Sequence, residues 1–127
     1  MNEFERKKVL VVDDEPLMAN TLSLILNQKG FEATAVYSGE MALAVVDVLK
    51  PDVLIVDVTM EDMNGIQAAM RICERVPHCR VFLISGRAVS ADELLHARSK
   101  GLAFEFLARP IHPTVFLDRL AAQPSCV

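Results

Sequence analysis

Five side chains carry the chemistry this sequence offers. Asp13 and Asp14 follow the apolar run Val9-Leu10-Val11-Val12, and Asp57 ends the run Val53-Leu54-Ile55-Val56. Ser85 follows Val81-Phe82-Leu83-Ile84, and Arg109 stands before Pro110. Three carboxylates brought together repel one another and suit a hard divalent cation; Mg2+ takes one or two carboxylates and keeps several waters. A hydroxyl and a guanidinium opposite the acids are groups that hold a phosphoryl. Metal, carboxylate nucleophile and phosphate clamp together describe phosphoryl transfer to an aspartate. Taken singly, each residue has a plainer use: Asp13 or Asp14 capping a helix, Ser85 ending a strand, Arg109 pairing with an acid. Five such groups at four strand ends make the plainer account poor.

Their placement requires a parallel sheet. Short apolar, β-branched runs bounded by turn residues read as buried strands, and a parallel sheet puts ligands outside the carboxyl ends of its strands. Helical spacing fills the gaps. Pro16 opens a first helix carrying Leu17, Met18, Thr21, Leu22, Ile25 and Leu26, stopped at Gly30. Phe31 to Tyr37 reads as a strand, and Ser38 caps a second helix with Ala42, Leu43, Val45, Val46 and Leu49, closed by Pro51. Ile66, Ala69, Met70, Cys73 and Val76 share one face of a third helix, ended by Pro77. Ser90 to Glu93 has the capping-box pattern and opens a fourth helix reaching about Lys100. Ala103 to Ala108 is a fifth strand, and His112-Pro113 opens a short last helix with Val115, Phe116, Leu117 and Leu120. Strands alternating with helices five times call for right-handed crossovers and a sheet covered on both faces.

Composition narrows the class. The 127 residues suit one domain, and 52% apolar with 24% charged residues describes a globular chain. A net charge of −4 argues against direct nucleic-acid binding. No apolar run approaches the ~20 residues of a membrane span. The charged segment Met1 to Lys8 does not read as a signal peptide, so a cytoplasmic protein is expected. Cys73, Cys79 and Cys126 have no metal-binding spacing and read as reduced thiols, Cys73 in the core. His78, His96 and His112 form no metal set.

The chain resembles the receiver domain of bacterial two-component response regulators, over roughly Lys8 to Leu120. The resemblance is carried by Val11-Val12-Asp13-Asp14-Glu15-Pro16, by Asp57 with Met60 and Gly65 at the family's spacing, by Ser85-Gly86 and by the Pro110 junction. It implies a single receiver domain over 1–127, with its core at about 8–121. It implies an α/β, flavodoxin-like, doubly wound five-stranded parallel sheet of order 2-1-3-4-5 with helices on both faces. By position, Asp57 would be the phosphoacceptor. Asp13, Asp14, Asp57 and the Thr59 backbone carbonyl would hold Mg2+. Ser85 would turn toward the phosphoryl, Arg109 would contact it, and Phe106 would be the aromatic switch residue. The Arg109–Pro110 bond would be cis. The protein would be no enzyme toward other substrates, catalysing at most its own phosphorylation and dephosphorylation. Its donor would be a histidine kinase or a phosphotransfer protein. Output to a downstream effector, and any homodimer, would use the surface of the predicted helix 90–100, strand five and the last helix.

The sequence departs from the family pattern in two places. Arg109 stands where the family has lysine, and Glu61 where it usually has proline. Arginine keeps the charge but is longer and planar; Glu61 adds negative charge beside a site that would gain about two more. Thr59 and Arg87 lie at positions that, in the family the chain resembles, tune how fast the phosphate is lost. Two competing functions follow: a pseudo-receiver that works as an interaction module without phosphate, and a phosphatase of the haloacid-dehalogenase type. The second wants another aspartate two residues after the nucleophile, where this chain has Thr59.

Overall fold

The computed structural model describes residues 7–57, 65–85, 105–108 and 113–121. In chain order the elements are β1 (Lys8–Val12), α1 (Pro16–Gln28), β2 (Glu32–Val36), α2 (Gly39–Leu49), β3 (Val53–Asp57), α3 (Gly65–Arg75), β4 (Arg80–Ser85), β5 (Glu105–Ala108) and α4 (Pro113–Ala121). The five strands form one sheet in the order β2-β1-β3-β4-β5, every pair parallel, as expected. The expected helix at 90–100 lies outside the described residues, as do the loop 58–64, the Arg109-Pro110 junction, His96, His112 and Cys126.

The centre of the sheet is dictated by its residues. Every residue of β3 is buried, because the strand has neighbours on both edges and helices on both faces. Alternation of side chains along the strands divides the core in two. Leu10, Val12, Leu54, Val56, Val81 and Leu83 pack with α2 and α3. Val9, Val11, Val53, Ile55, Phe82 and Ile84 pack with α1 and with Phe116 of α4. Cys73 and Cys79 lie in the first of these cores, where burial pushes the thiols up to about 11 and about 12.

Local signals end the helices where the sequence reading puts them. Ser38 accepts a hydrogen bond from the Met41 N–H at 3.1 Å and caps α2. Gly30 follows α1 with φ +98°, the left-handed conformation that glycine adopts without a Cβ penalty. Lys50 takes the same role after α2 with φ +46°, at a cost a glycine would avoid. On the edge strand β2, the Asn27 carboxamide exchanges two hydrogen bonds with the backbone of Ala33 (2.8 and 3.2 Å) and so covers part of an open sheet edge.

One expectation is corrected. The apolar series on α1 does not all face the core: Leu17 is 78% exposed and Met18 is also on the surface, as is Leu24, which the series does not include. The buried residues are Ala19, Ser23 and Leu26, with Leu22 packed partly. The helix contains no charged residue, so its apolar residues outnumber what one face can bury. Small Ala19 and Ser23 share the buried face with Leu26, while Leu17 and Leu24 lie outward. Val115, read with the apolar residues of the last helix, is likewise half exposed.

Candidate functional site: a carboxylate cluster at the carboxyl edge of the sheet

The register of the sheet builds the site. Val12 of β1 pairs with Val56 of β3, so Asp13 and Asp57 are each the next residue along adjacent strands. Asp13 keeps to that line because its N–H donates to the Val36 carbonyl at 3.2 Å, one step beyond the β1–β2 ladder. Asp57 is level with Ile84 of β4, and Ser85 follows it; Ser85 pairs in turn with Ala108 of β5. The five expected positions thus fall on one edge in the backbone wherever they are described. The side chains of Ser85 and Phe106, and the whole of Thr59 and Arg109, lie outside the described residues. Phe106 is placed by register beside Leu83.

Asp13, Asp14 and Asp57 meet. One carboxylate oxygen from each lies within 4.8 Å of the other two. Asp13 and Asp57 are buried, 5% and 3% exposed, while Asp14 is open to solvent. Two full charges at this spacing repel by on the order of 3–4 kcal/mol at an effective dielectric of about 20. Asp13 is partly served by the Glu15 N–H, which donates to its Oδ1 at 3.0 Å. Neither Asp13 nor Asp14 is the helix cap: Glu15 holds the N-cap position without a side-chain bond, and Pro16 supplies the first turn. The plainer use of these aspartates is therefore absent, and the start of α1 lends its positive dipole end to the same corner.

The donor set fits a hard divalent cation. All three ligand atoms are carboxylate oxygens on two rigid strand ends, with one face open through Asp14. Among the described residues no other group of histidine, cysteine or acidic side chains converges in this way.

Sequence reasoning passed over a second charge constellation, Arg80, Glu105 and Arg119, at the opposite edge of the sheet. Its signal was there to read: each of two otherwise apolar strands opens with a charge, of opposite sign.

A doubly wound parallel sheet with a buried aspartate pair and a third acid at the switch between β1 and β3 is the arrangement that the receiver resemblance implies. The comparisons with known proteins agree. Residues 9–121 match the family model of the response regulator receiver domain, and the chain belongs to that family. It is 31% identical over 115 residues to the chemotaxis protein CheY of Thermotoga maritima, covering 90% of this chain and 94% of that protein. It is 29% identical over 120 residues to the DNA-binding response regulator MtrA of Mycolicibacterium smegmatis, covering 93% of this chain. The chain spans about half the length of MtrA, 50%. Among solved structures, it is similar to a response regulator from Burkholderia pseudomallei with a phosphorylated aspartic acid, a calcium ion and citrate. That likeness has a TM-score of 0.77 at 25% identity, over 87% of this chain and 64% of the other. Receiver domains of two-component response regulators work in phosphorylation-dependent signalling and interact with histidine kinases or phosphotransfer proteins.

Proposed function

We propose that Asp57 is the phosphoacceptor of this receiver, and that Asp13 and Asp14 form the cation-binding side of the same site. The observation that carries this is the convergence of three carboxylates at adjacent strand ends, two of them buried. Carboxylates this close disfavour one another, and oxygen ligands so placed suit a hard cation. The similar Burkholderia protein, with its phosphorylated aspartate and calcium ion, supports the reading.

In transfer, an Asp57 carboxylate oxygen attacks phosphorus. The new O–P bond forms as the P–N bond of a phosphohistidine breaks, or the P–O bond of an acyl phosphate. The leaving group keeps the electron pair, and the imidazole takes a proton from solvent. A divalent cation such as Mg2+, held by Asp13, Asp14 and Asp57 with the Thr59 carbonyl, would neutralise the phosphoryl oxygens as charge moves onto them. Burial holds Asp57 rigid and partly dehydrated, so the nucleophile is positioned before the donor arrives. Ser85 and Arg109 are assigned to the phosphoryl, and Phe106 to reporting its presence; the phosphoryl group then biases an equilibrium between two states. The exposed Leu17, Met18 and Leu24 of the uncharged α1 begin directly beside the acids and offer an apolar surface on which a donor protein can dock. Output through the surface of segment 90–100, β5 and α4, with any self-association there, belongs to the same proposal, as do the single-domain organisation and a cytoplasmic setting. No helix among the described residues is long and apolar enough to cross a membrane.

The test is intact-mass measurement after incubation with acetyl phosphate, with Mg2+ or with EDTA, on the native chain and on Asp57→Asn. One phosphoryl is expected on the native chain with Mg2+ only, and none on the variant. Failure of the native chain to gain mass would favour the phosphate-independent module instead. Arg109→Lys, run alongside, measures what the arginine costs: equal yield in both proteins makes it a neutral replacement.

A further inference from the structure

The edge of the sheet far from the carboxylates holds its own charges. Arg80 opens β4 and Glu105 opens β5. Glu105 is level with Phe82, and Arg80 lies two residues before Phe82 on the same face, so all three side chains look toward α4. The Arg80 guanidinium donates from Nε and Nη2 to the two oxygens of Glu105, the Nη2–Oε1 distance being 2.9 Å. The same Nη2 donates to the backbone carbonyl of Arg119 at 2.7 Å. The Arg119 guanidinium lies 3.4 Å from Glu105. Arg80 also covers the Phe82 ring, 4.9 Å from its centroid, and Phe82 meets Phe116 of α4 edge-on at 5.2 Å.

This differs from a surface ion pair in two ways. Arg80 and Glu105 are only 15% and 21% exposed, so water and salt screen them little. The third bond goes to a carbonyl in the last turn of α4, one of the four acceptors that a helix leaves unsatisfied at its end. A fork is needed to hold a carboxylate and a carbonyl together, and arginine has one.

Helix α4 has nine residues, roughly 13 Å of length, and starts five residues after Ala108 at the carboxyl edge. It runs back across the sheet, so its Pro113 end lies toward the carboxylate cluster and its Arg119 end lies on the Arg80–Glu105 pair. We propose that Arg80 and Glu105 are positioning residues that pin the last turn of α4 to the sheet. Rearrangement begun at the carboxylate cluster then moves the Pro113 end of the helix about a fixed Arg119 end. The source of that movement rests on the phosphoacceptor reading; the pin does not.

The experiment uses the full chain, 15N-labelled, as native protein, Glu105→Gln and Arg80→Lys. Amide exchange without phosphoryl donor tests the pin. In Glu105→Gln, amides 119–121 should exchange about tenfold faster while those of α1 and α3 stay within about twofold. Arg80→Lys, which keeps the charge and loses the fork, should loosen the same turn. Unchanged exchange at 119–121, or an equal rise in every helix, overturns the pin. Acetyl phosphate with Mg2+ then tests the pivot, with intact mass reporting the transfer. If the native chain gains a phosphoryl, its amide shifts should be largest at 114–116 and small at 119–121, and Glu105→Gln should spread them over the whole helix. Uniform shifts in the native helix overturn the pivot. If no phosphoryl is gained, the phosphoacceptor reading and the pivot both fall, and the exchange result still decides the pin.

Discussion

The two edges of the sheet treat charge in opposite ways. At the carboxyl edge, three groups of like sign lie within 4.8 Å of one another. At the amino edge, Glu105 sits between Arg80 and Arg119, and each charge meets an opposite one. The first arrangement brings like charges together and suits the cation and phosphoryl site proposed above. The second is satisfied as it stands and makes sense as scaffold. A charge cluster thus differs in kind according to whether like or opposite signs are brought together, and like signs converging at strand ends mark the candidate site.

The largest expected effect breaks the balanced edge. Arg80→Ala leaves a sheltered carboxylate facing Arg119 alone among the described residues and removes the donor to the Arg119 carbonyl. It should cost about 2–3 kcal/mol in urea unfolding, somewhat below the loss for a fully buried pair. Neutralising a member of the carboxylate cluster should do the reverse. Asp13→Asn keeps an oxygen for the Glu15 N–H and removes one repulsion. In EDTA it should stabilise the chain by about 1–2 kcal/mol. Added Mg2+ should erase the advantage, because only the native cluster gains from the cation.

Smaller effects sharpen the contrast. Lys50, after α2 at the same amino edge, spends about 1 kcal/mol on a left-handed backbone. Lys50→Gly should recover about 0.5–1 kcal/mol and raise the denaturation midpoint. At Glu105, burial raises the carboxyl, but the hydrogen bonds and charges of Arg80 and Arg119 outweigh it and hold the carboxyl below its usual range. A depressed folded value means that the stabilisation is complete above the ordinary carboxylate range and is lost as pH falls through the lowered one. The stability gap between the native chain and Glu105→Gln should therefore close as pH falls through that lowered value. A gap that held constant across this acid range would assign it to packing and not to charge.

Much of this was legible in the sequence. The strands, their parallel alternation and the gathering of Asp13, Asp14 and Asp57 follow from four-residue apolar runs that each end in chemistry. The strand order came from the family resemblance, since alternation fixes handedness but not which neighbours pair. The phase of α1 was misread because an uncharged helix gives no polar face to set against its apolar one; Ala19 and Ser23, the small residues, mark its buried side. The Arg80–Glu105 pair was missed for a different reason. The residues are far apart in sequence, and only the β4–β5 register brings them together. Thr59 and Arg109, with the side chains of Ser85 and Phe106, are assigned by family position alone.

The central claim is that the carboxylate edge takes a phosphoryl on Asp57. The most direct measurement is to treat the chain with acetyl phosphate and Mg2+, reduce it with borohydride, and locate the product by fragmentation mass spectrometry. Reduction of an aspartyl phosphate leaves homoserine at the position that carried it. The account predicts homoserine at position 57 alone, dependent on Mg2+ and lost when Asp13 is changed to Ala. Homoserine at position 13 or 14, or none anywhere after a confirmed donor reaction with a control receiver, would contradict it.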